Sequence, residues 1–169
     1  IADDVHPNVV TYSSLIKALG DANDPDRAWM VYEDMQRAGV DVDMITFATL
    51  VKAFGDGGQP ERAWDVYREM VEKGIPPDSG SHGVLIKTFD RAERPDLAWE
   101  LVEHADRHNT PLGVVPHSML IKLFGHANQP DRCLAVFDRM TSLGIDPTVV
   151  TYSSLIKAMG DADQPGRAI

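Results

Sequence analysis

The chain has 169 residues, 43% hydrophobic and 25% charged, a balance ordinary for a globular domain. Its formal charge of −10 argues against a general grip on nucleic acid, because phosphate contacts need local positive potential. Cys133 is the single cysteine, which excludes an internal disulfide and a cysteine metal site, and no apolar run is long enough to span a membrane.

Residues 1–8 read as the tail of a helical unit, since His6-Pro7-Asn8 leads into Val9-Val10-Thr11-Tyr12 as Asp146-Pro147-Thr148 leads into Val149-Val150-Thr151-Tyr152. A first helix is expected near 11–21. Tyr12, Leu15, Ile16 and Leu19 fall at i, i+3, i+4 and i+7, one apolar stripe. Thr11 stands where an N-cap hydroxyl is wanted, and Gly20 is a suitable stop. A second helix is expected near 25–38. Pro25 suits its first turn, Ala28, Val31, Tyr32 and Met35 form its stripe, and Gly39 ends it.

This pair then recurs every 35 residues without insertion. Leu15-Ile16-Lys17 returns as Leu50-Val51-Lys52, Leu85-Ile86-Lys87, Leu120-Ile121-Lys122 and Leu155-Ile156-Lys157. Pro25, Pro60, Pro95, Pro130 and Pro165 keep the register, as do Ala28, Ala63, Ala98 and Ala168 with Cys133 in the fourth copy. Gly39, Gly74 and Gly144 align with Asn109, which also tolerates the left-handed conformation. The units are 9–43, 44–78, 79–113 (degenerate, with Asp90 in a glycine column), 114–148, and a fifth, 149–169, cut short. A hairpin cannot bury both stripes alone, so the copies are expected to stack into one all-α solenoid domain, read here as a fragment of a longer array.

The unit V-V-T-Y-S-S-L-I-K-A-L-G, then P-D-R-A-W-x-V-Y-E-D-M, then the G-I-D-P-T tail at Gly144–Thr148, resembles the pentatricopeptide repeat over nearly the whole chain. The resemblance implies a right-handed superhelix with first helices on the concave face. It also implies single-stranded RNA as partner, about one base per repeat, in mitochondria or chloroplasts. It implies no catalysis within the repeats, no cofactor, no membrane insertion and no small-molecule substrate.

The family reads a base with the residue after the aromatic and the last residue of the unit. Here these are Ser13 with Asp43, Ala48 with Asp78, Gly83 with Gly113, Ser118 with Thr148, and Ser153. Ser13 and Asp43 resemble the guanine-preferring pair. Gly83 and Gly113 carry no side-chain hydrogen-bonding group, so a footprint is expected to weaken there. The aliphatic residue that brackets each base in the family is kept as Val10, Ile45, Val115 and Val150 and lost at Gly80.

Lys17, Lys52, Lys87, Lys122 and Lys157 lie four residues beyond the base-reading position, on the same helix face. With Arg91 they are candidate phosphate contacts. The alternative is that the lysines serve the helix, because Asp21, Asp56 and Asp161 stand four residues after Lys17, Lys52 and Lys157, whereas Arg91 and His126 occupy that place in the third and fourth units. His104 and His108 are one turn apart but lack an evident third metal ligand. Trp29, Trp64 and Trp99 are expected to pack between repeats. The competing reading of the whole chain is a protein–protein scaffold in a larger organellar assembly, motivated by the −10 charge and the unreadable base pairs.

Overall fold

The structure, a computed structural model, describes residues 7–161, with the side chain of Asp161 outside that set. The expected second helix of the fifth unit, with Pro165 and Ala168, lies outside the described residues, as does most of the leading tail. The described residues form nine α-helices and no strand: α1 (Val9–Asp21), α2 (Pro25–Arg37), α3 (Met44–Asp56), α4 (Pro60–Glu72), α5 (Ser79–Arg91), α6 (Pro95–Arg107), α7 (Val114–His126), α8 (Pro130–Ser142) and α9 (Val149–Asp161).

The helix ends follow from residue chemistry. Each second helix begins on proline, whose missing N–H is one of the donors a first turn leaves without a partner. Gly39, Gly74, Gly144 and Asn109 all take positive φ just past the second helices, as the sequence register implies. The first helices start two residues earlier than expected, and the reason is a different cap. Asn8, Asp43 and Asp78 are the N-caps, each accepting from a backbone N–H three residues on. Thr11 is therefore inside the first turn, where it donates to Asn8 rather than capping.

Gly20 is not a stop either. The helix runs through it to Asp21, and a Cβ built at Gly20 would lie 3.1 Å from Ala53 Cβ. At Gly125 the same atom would lie 2.9 Å from Ala158 Cβ. Glycine in this column lets successive first helices approach closely. Gly125→Ala is expected to destabilise the chain by about 1–2 kcal/mol, since overpacking outweighs the gain in helix propensity. Gly160→Ala, with nothing within 4 Å of its Cβ, is expected to stabilise it by about 0.5–1 kcal/mol. Urea unfolding of both variants checks the pair.

The chain divides between Pro77 and Asp78 into two compact units. In the first, α1 packs on α2 and α3, and α3 on α4. In the second, α7 packs on α5, α8 and α9, and α5 on α6. First helices thus stack on first helices, with each second helix against its own partner. Phe47, Leu50, Val51 and Phe54 of α3 are wholly buried, as are Leu120, Ile121 and Phe124 of α7. The tryptophans belong to this packing. Trp29 reaches Phe54, Trp99 reaches Phe124, and Trp64 stacks on Tyr67. On the second helices Arg27, Arg37 and Arg68 pair with Asp24, Asp34 and Asp65 along the chain. Arg62 with Asp26, and Arg139 with Asp106, tie one repeat to the next.

His82 and His117 take the place that Phe47 fills in the second repeat, and both are buried. Burial pushes His82 down to about 4 and also lowers His117. Above about pH 6.5 His82 is neutral whether folded or unfolded. As pH falls from 6.5 towards 4 the unfolded chain binds the proton first, so stability is lost in that window. The loss is expected to reach the order of 3 kcal/mol for His82 by pH 4. Asp78 is also shifted down, held low by the N–H and hydroxyl of Ser81, but as a carboxylate it contributes stability that is lost only as pH falls through and below the ordinary carboxylate range. Urea unfolding at pH 7 and pH 5 therefore isolates the histidines, and His82→Phe is expected to flatten the difference.

Candidate nucleic-acid interface

The exposed faces of the first helices carry the candidate bracketing residues and the lysine ladder, whereas Ser118 is buried and Ser13, Ala48 and Gly83 are half-buried. Val10, Ile45, Val115 and Val150 are 61–67% exposed, unusual for large aliphatic side chains. Each stands in the first turn of its helix, three residues before a candidate base-reading position. Lys17, Lys52, Lys87, Lys122 and Lys157 are all exposed.

The lysines do not share one electrostatic setting. Lys52 Nζ lies 2.9 Å from Asp56, whose hydrogen bond and charge raise the lysine pKa, with Asp21 adding to the shift. Lys52 thus makes an i, i+4 ion pair within α3. Lys87 and Lys122 form no ion pair among the described residues, and Arg91 and His126 stand one turn on in place of an aspartate. Arg91 lines a cleft of about 480 Å³ between the α5–α6 turn and the end of α7, with Asp90, Arg94 and His126. Its charges are mixed, and His126 Nδ1 sits 3.0 Å from Asp90.

A second cleft, of about 390 Å³, opens between α7 and α9. Lys122, His126, Val150, Ser153, Lys157 and Ala158 line it. It brings together a candidate bracketing valine, a candidate base-reading serine and two ladder lysines from successive repeats. Its volume falls within the range of about 300–1,000 Å³ that small-ligand sites occupy.

Several of the candidate base-reading residues are engaged in the fold. Ser13 Oγ donates to the Val9 carbonyl at 2.8 Å and lies 2.8 Å from Thr46 Oγ1. Thr46, wholly buried, donates from its hydroxyl to Asp43 Oδ1 at 2.7 Å, and its N–H reaches the same oxygen at 2.8 Å. Ser13 and Asp43, thirty residues apart in the chain, are thus joined through a threonine of the next repeat. Ser118 Oγ lies 2.8 Å from Thr151 Oγ1, which is 3.2 Å from Thr148 Oγ1. Gly83 and Gly113 have no such link, and Pro116 stands in the threonine column. Asp78 caps α5 through Ser81, while Ala48 belongs to the other compact unit. Ser153 is exposed.

Sequence reasoning missed Thr46 and Thr151. The signal was present as a cap residue three before a threonine, in Asn8…Thr11, Asp43…Thr46 and Thr148…Thr151, with Asp78…Ser81 as the serine version. His104 and His108 stack with centroids 4.1 Å apart, and no group of three potential metal ligands occurs among the described residues. No helix among them is long and apolar enough to cross a membrane.

The sequence model of the PPR repeat family matches residues 7–56, 46–91 and 112–161. Among curated proteins none matches the chain significantly. Among solved structures, the pentatricopeptide repeat protein PPR10 in complex with an 18-nt psaJ RNA element is 24% identical over 98% of this chain and 25% of its own, with a TM-score of 0.71. PPR10 from maize is 26% identical over 94% of this chain and 23% of its own, at 0.68. The PPR domain of Arabidopsis thaliana protein-only RNase P 1, in complex with tRNA, is 14% identical over 95% of this chain and 86% of its own, at 0.70. The fold is therefore that of an all-α helical-repeat solenoid, and the chain spans about a quarter of the PPR10 chains it resembles.

Proposed function

Because the chain belongs to the PPR repeat family, we propose that it binds single-stranded RNA along the exposed face of its first helices. The observation that carries this reading is the cleft between α7 and α9, where Lys122 and Lys157 flank Val150 and Ser153. Lysines suit a phosphate chain as flexible point charges, the aliphatic side chain offers a flat apolar contact to a base, and the serine a polar one. The similarity to PPR10 and to the protein-only RNase P domain, both solved with RNA, supports the same partner.

The repeats act in this reading as a binding module, and any transcript processing, editing, stabilisation or translational control comes from what the bound strand recruits or is shielded from. An organellar location is part of the proposal. The α5–α9 unit supplies most of the electrostatic grip, since Lys87, Lys122 and Lys157 lie there, whereas Lys52 in the other unit is held by Asp56. Ser13 with Asp43 supplies the clearest base preference, for guanine.

A protein scaffold is the second reading, favoured by the −10 charge and the Lys52–Asp56 pair. A filter-binding titration of the intact chain with mixed-sequence RNA across a salt series separates the two. RNA reading requires binding that weakens linearly in log affinity with log salt. No binding at low salt would leave the scaffold.

A further inference from the structure

The geometry points to Thr46 as a positioning residue for base selection by the repeat that precedes it. The inference rests on the RNA reading above. Thr46 belongs to the second repeat, yet its hydroxyl stands between Ser13 and Asp43 of the first, 2.8 Å from one and 2.7 Å from the other.

A carboxylate only accepts, so the single hydroxyl proton of Thr46 goes to Asp43 Oδ1. Thr46 Oγ1 then faces Ser13 with lone pairs, and the Ser13 proton is drawn inward, to Thr46 Oγ1 or to the Val9 carbonyl. Asp43 Oδ2 takes no part in the cap. The Ser13–Asp43 pair therefore presents acceptors alone to a ligand. A base edge that donates at both places suits it, as the N1–H and N2–H of guanine do. An adenine edge brings an acceptor to one of them and meets lone pairs. Thr46 touches no base in this arrangement; it fixes which way the hydrogen bonds of its neighbours run.

The pattern across repeats agrees. Ser118, Thr151 and Thr148 form the same three-part link, with Thr151 wholly buried like Thr46. At Gly83, Pro116 and Gly113 all three parts are missing together. At Ala48, Ser81 and Asp78 only the serine-side hydroxyl is missing, and Ser81 still donates to Asp78, so the cap persists there without the link to the preceding repeat.

Thr46→Val tests this. Valine keeps the buried volume, the N–H to Asp43 remains, and Ser13 still has the Val9 carbonyl, so no buried polar group loses its last partner. The probes are oligouridine strands, plain or carrying one guanine or one adenine, titrated against the intact chain. The wild type is expected to prefer the guanine strand. Thr46→Val is expected to reduce that preference about tenfold, the worth of one well-placed hydrogen bond to a charged group. Affinity for plain oligouridine should stay within about twofold, and Thr46→Ser should restore the preference. Thr151→Val, at a different pair, should leave it intact. An undiminished guanine preference in Thr46→Val overturns the inference while RNA binding stands. So does an equal loss on every strand accompanied by a lowered unfolding midpoint, which marks a structural role. A wild type that binds no strand removes the RNA reading, and this role with it.

Discussion

Replacing Lys87 and Lys122 together by glutamate is expected to weaken single-stranded RNA binding about a hundredfold at low salt, one order of magnitude per lost charged contact. The salt slope should fall by about 1.4, the share of two phosphates on a single strand. These two lysines are chosen because the structure distinguishes them. Both are exposed, and neither forms an ion pair among the described residues. Lys52 is their control. Asp56 holds it at 2.9 Å, so much of its charge is already compensated, and Lys52→Glu is expected to cost less than either single change at Lys87 or Lys122. All three lie on the exposed surface, where substitutions away from special features change stability within about 0.5 kcal/mol. The effect is thus read on binding rather than folding. Circular dichroism melts alongside the titrations check this. A double variant that binds like the wild type would remove the lysine ladder from the site.

The largest expected effect on folding is at Phe124. It is wholly buried in α7, with the Trp99 ring 5.9 Å away on one side and the Arg132 guanidinium 5.7 Å from its ring centroid. Phe124→Ala is expected to cost about 3–5 kcal/mol, from lost burial and from a cavity that two rigid neighbours cannot collapse. Arg132 also lies over Trp99 and hydrogen-bonds the Pro95 carbonyl, so it is held in place and cannot fill the gap. Ile156→Ala is the comparison. Ile156 occupies the column of Ile16, Val51, Ile86 and Ile121, all buried, yet is 58% exposed in this chain. Its loss should change stability by about 0.5 kcal/mol or less. Denaturant midpoints of both variants test whether the core lies where the packing puts it.

The repeat and its helices were legible in the sequence because a period of 35 residues is carried by large apolar side chains at fixed helical spacing. Prolines and glycines punctuate it, and their backbone roles at Pro25 and Gly39 need no tertiary context. What escaped the sequence was anything decided by a neighbouring repeat. Gly20 resembles a helix stop until Ala53 is placed against it. Thr11 resembles a cap until Asn8 takes the role through its side-chain carbonyl. The lysine ladder was already divided in the sequence by what stands four residues on, and what the neighbouring repeat adds is the charge of Asp21 on Lys52. The candidate base-reading residues could be located but not oriented. Ser13 and Asp43 are thirty residues apart, and the threonine that joins them belongs to the next unit.

The central claim is that a single RNA strand runs along the exposed face of the first helices. Photocrosslinking of 4-thiouridine-substituted RNA to the intact chain, with the linked peptides identified by mass spectrometry, tests it directly. Adducts are predicted on α7 and α9 around Val115, Lys122, Val150, Ser153 and Lys157, with further adducts on α3 and α1, two and three repeats before α7. Adducts confined to the second helices α2, α4, α6 and α8 would contradict it.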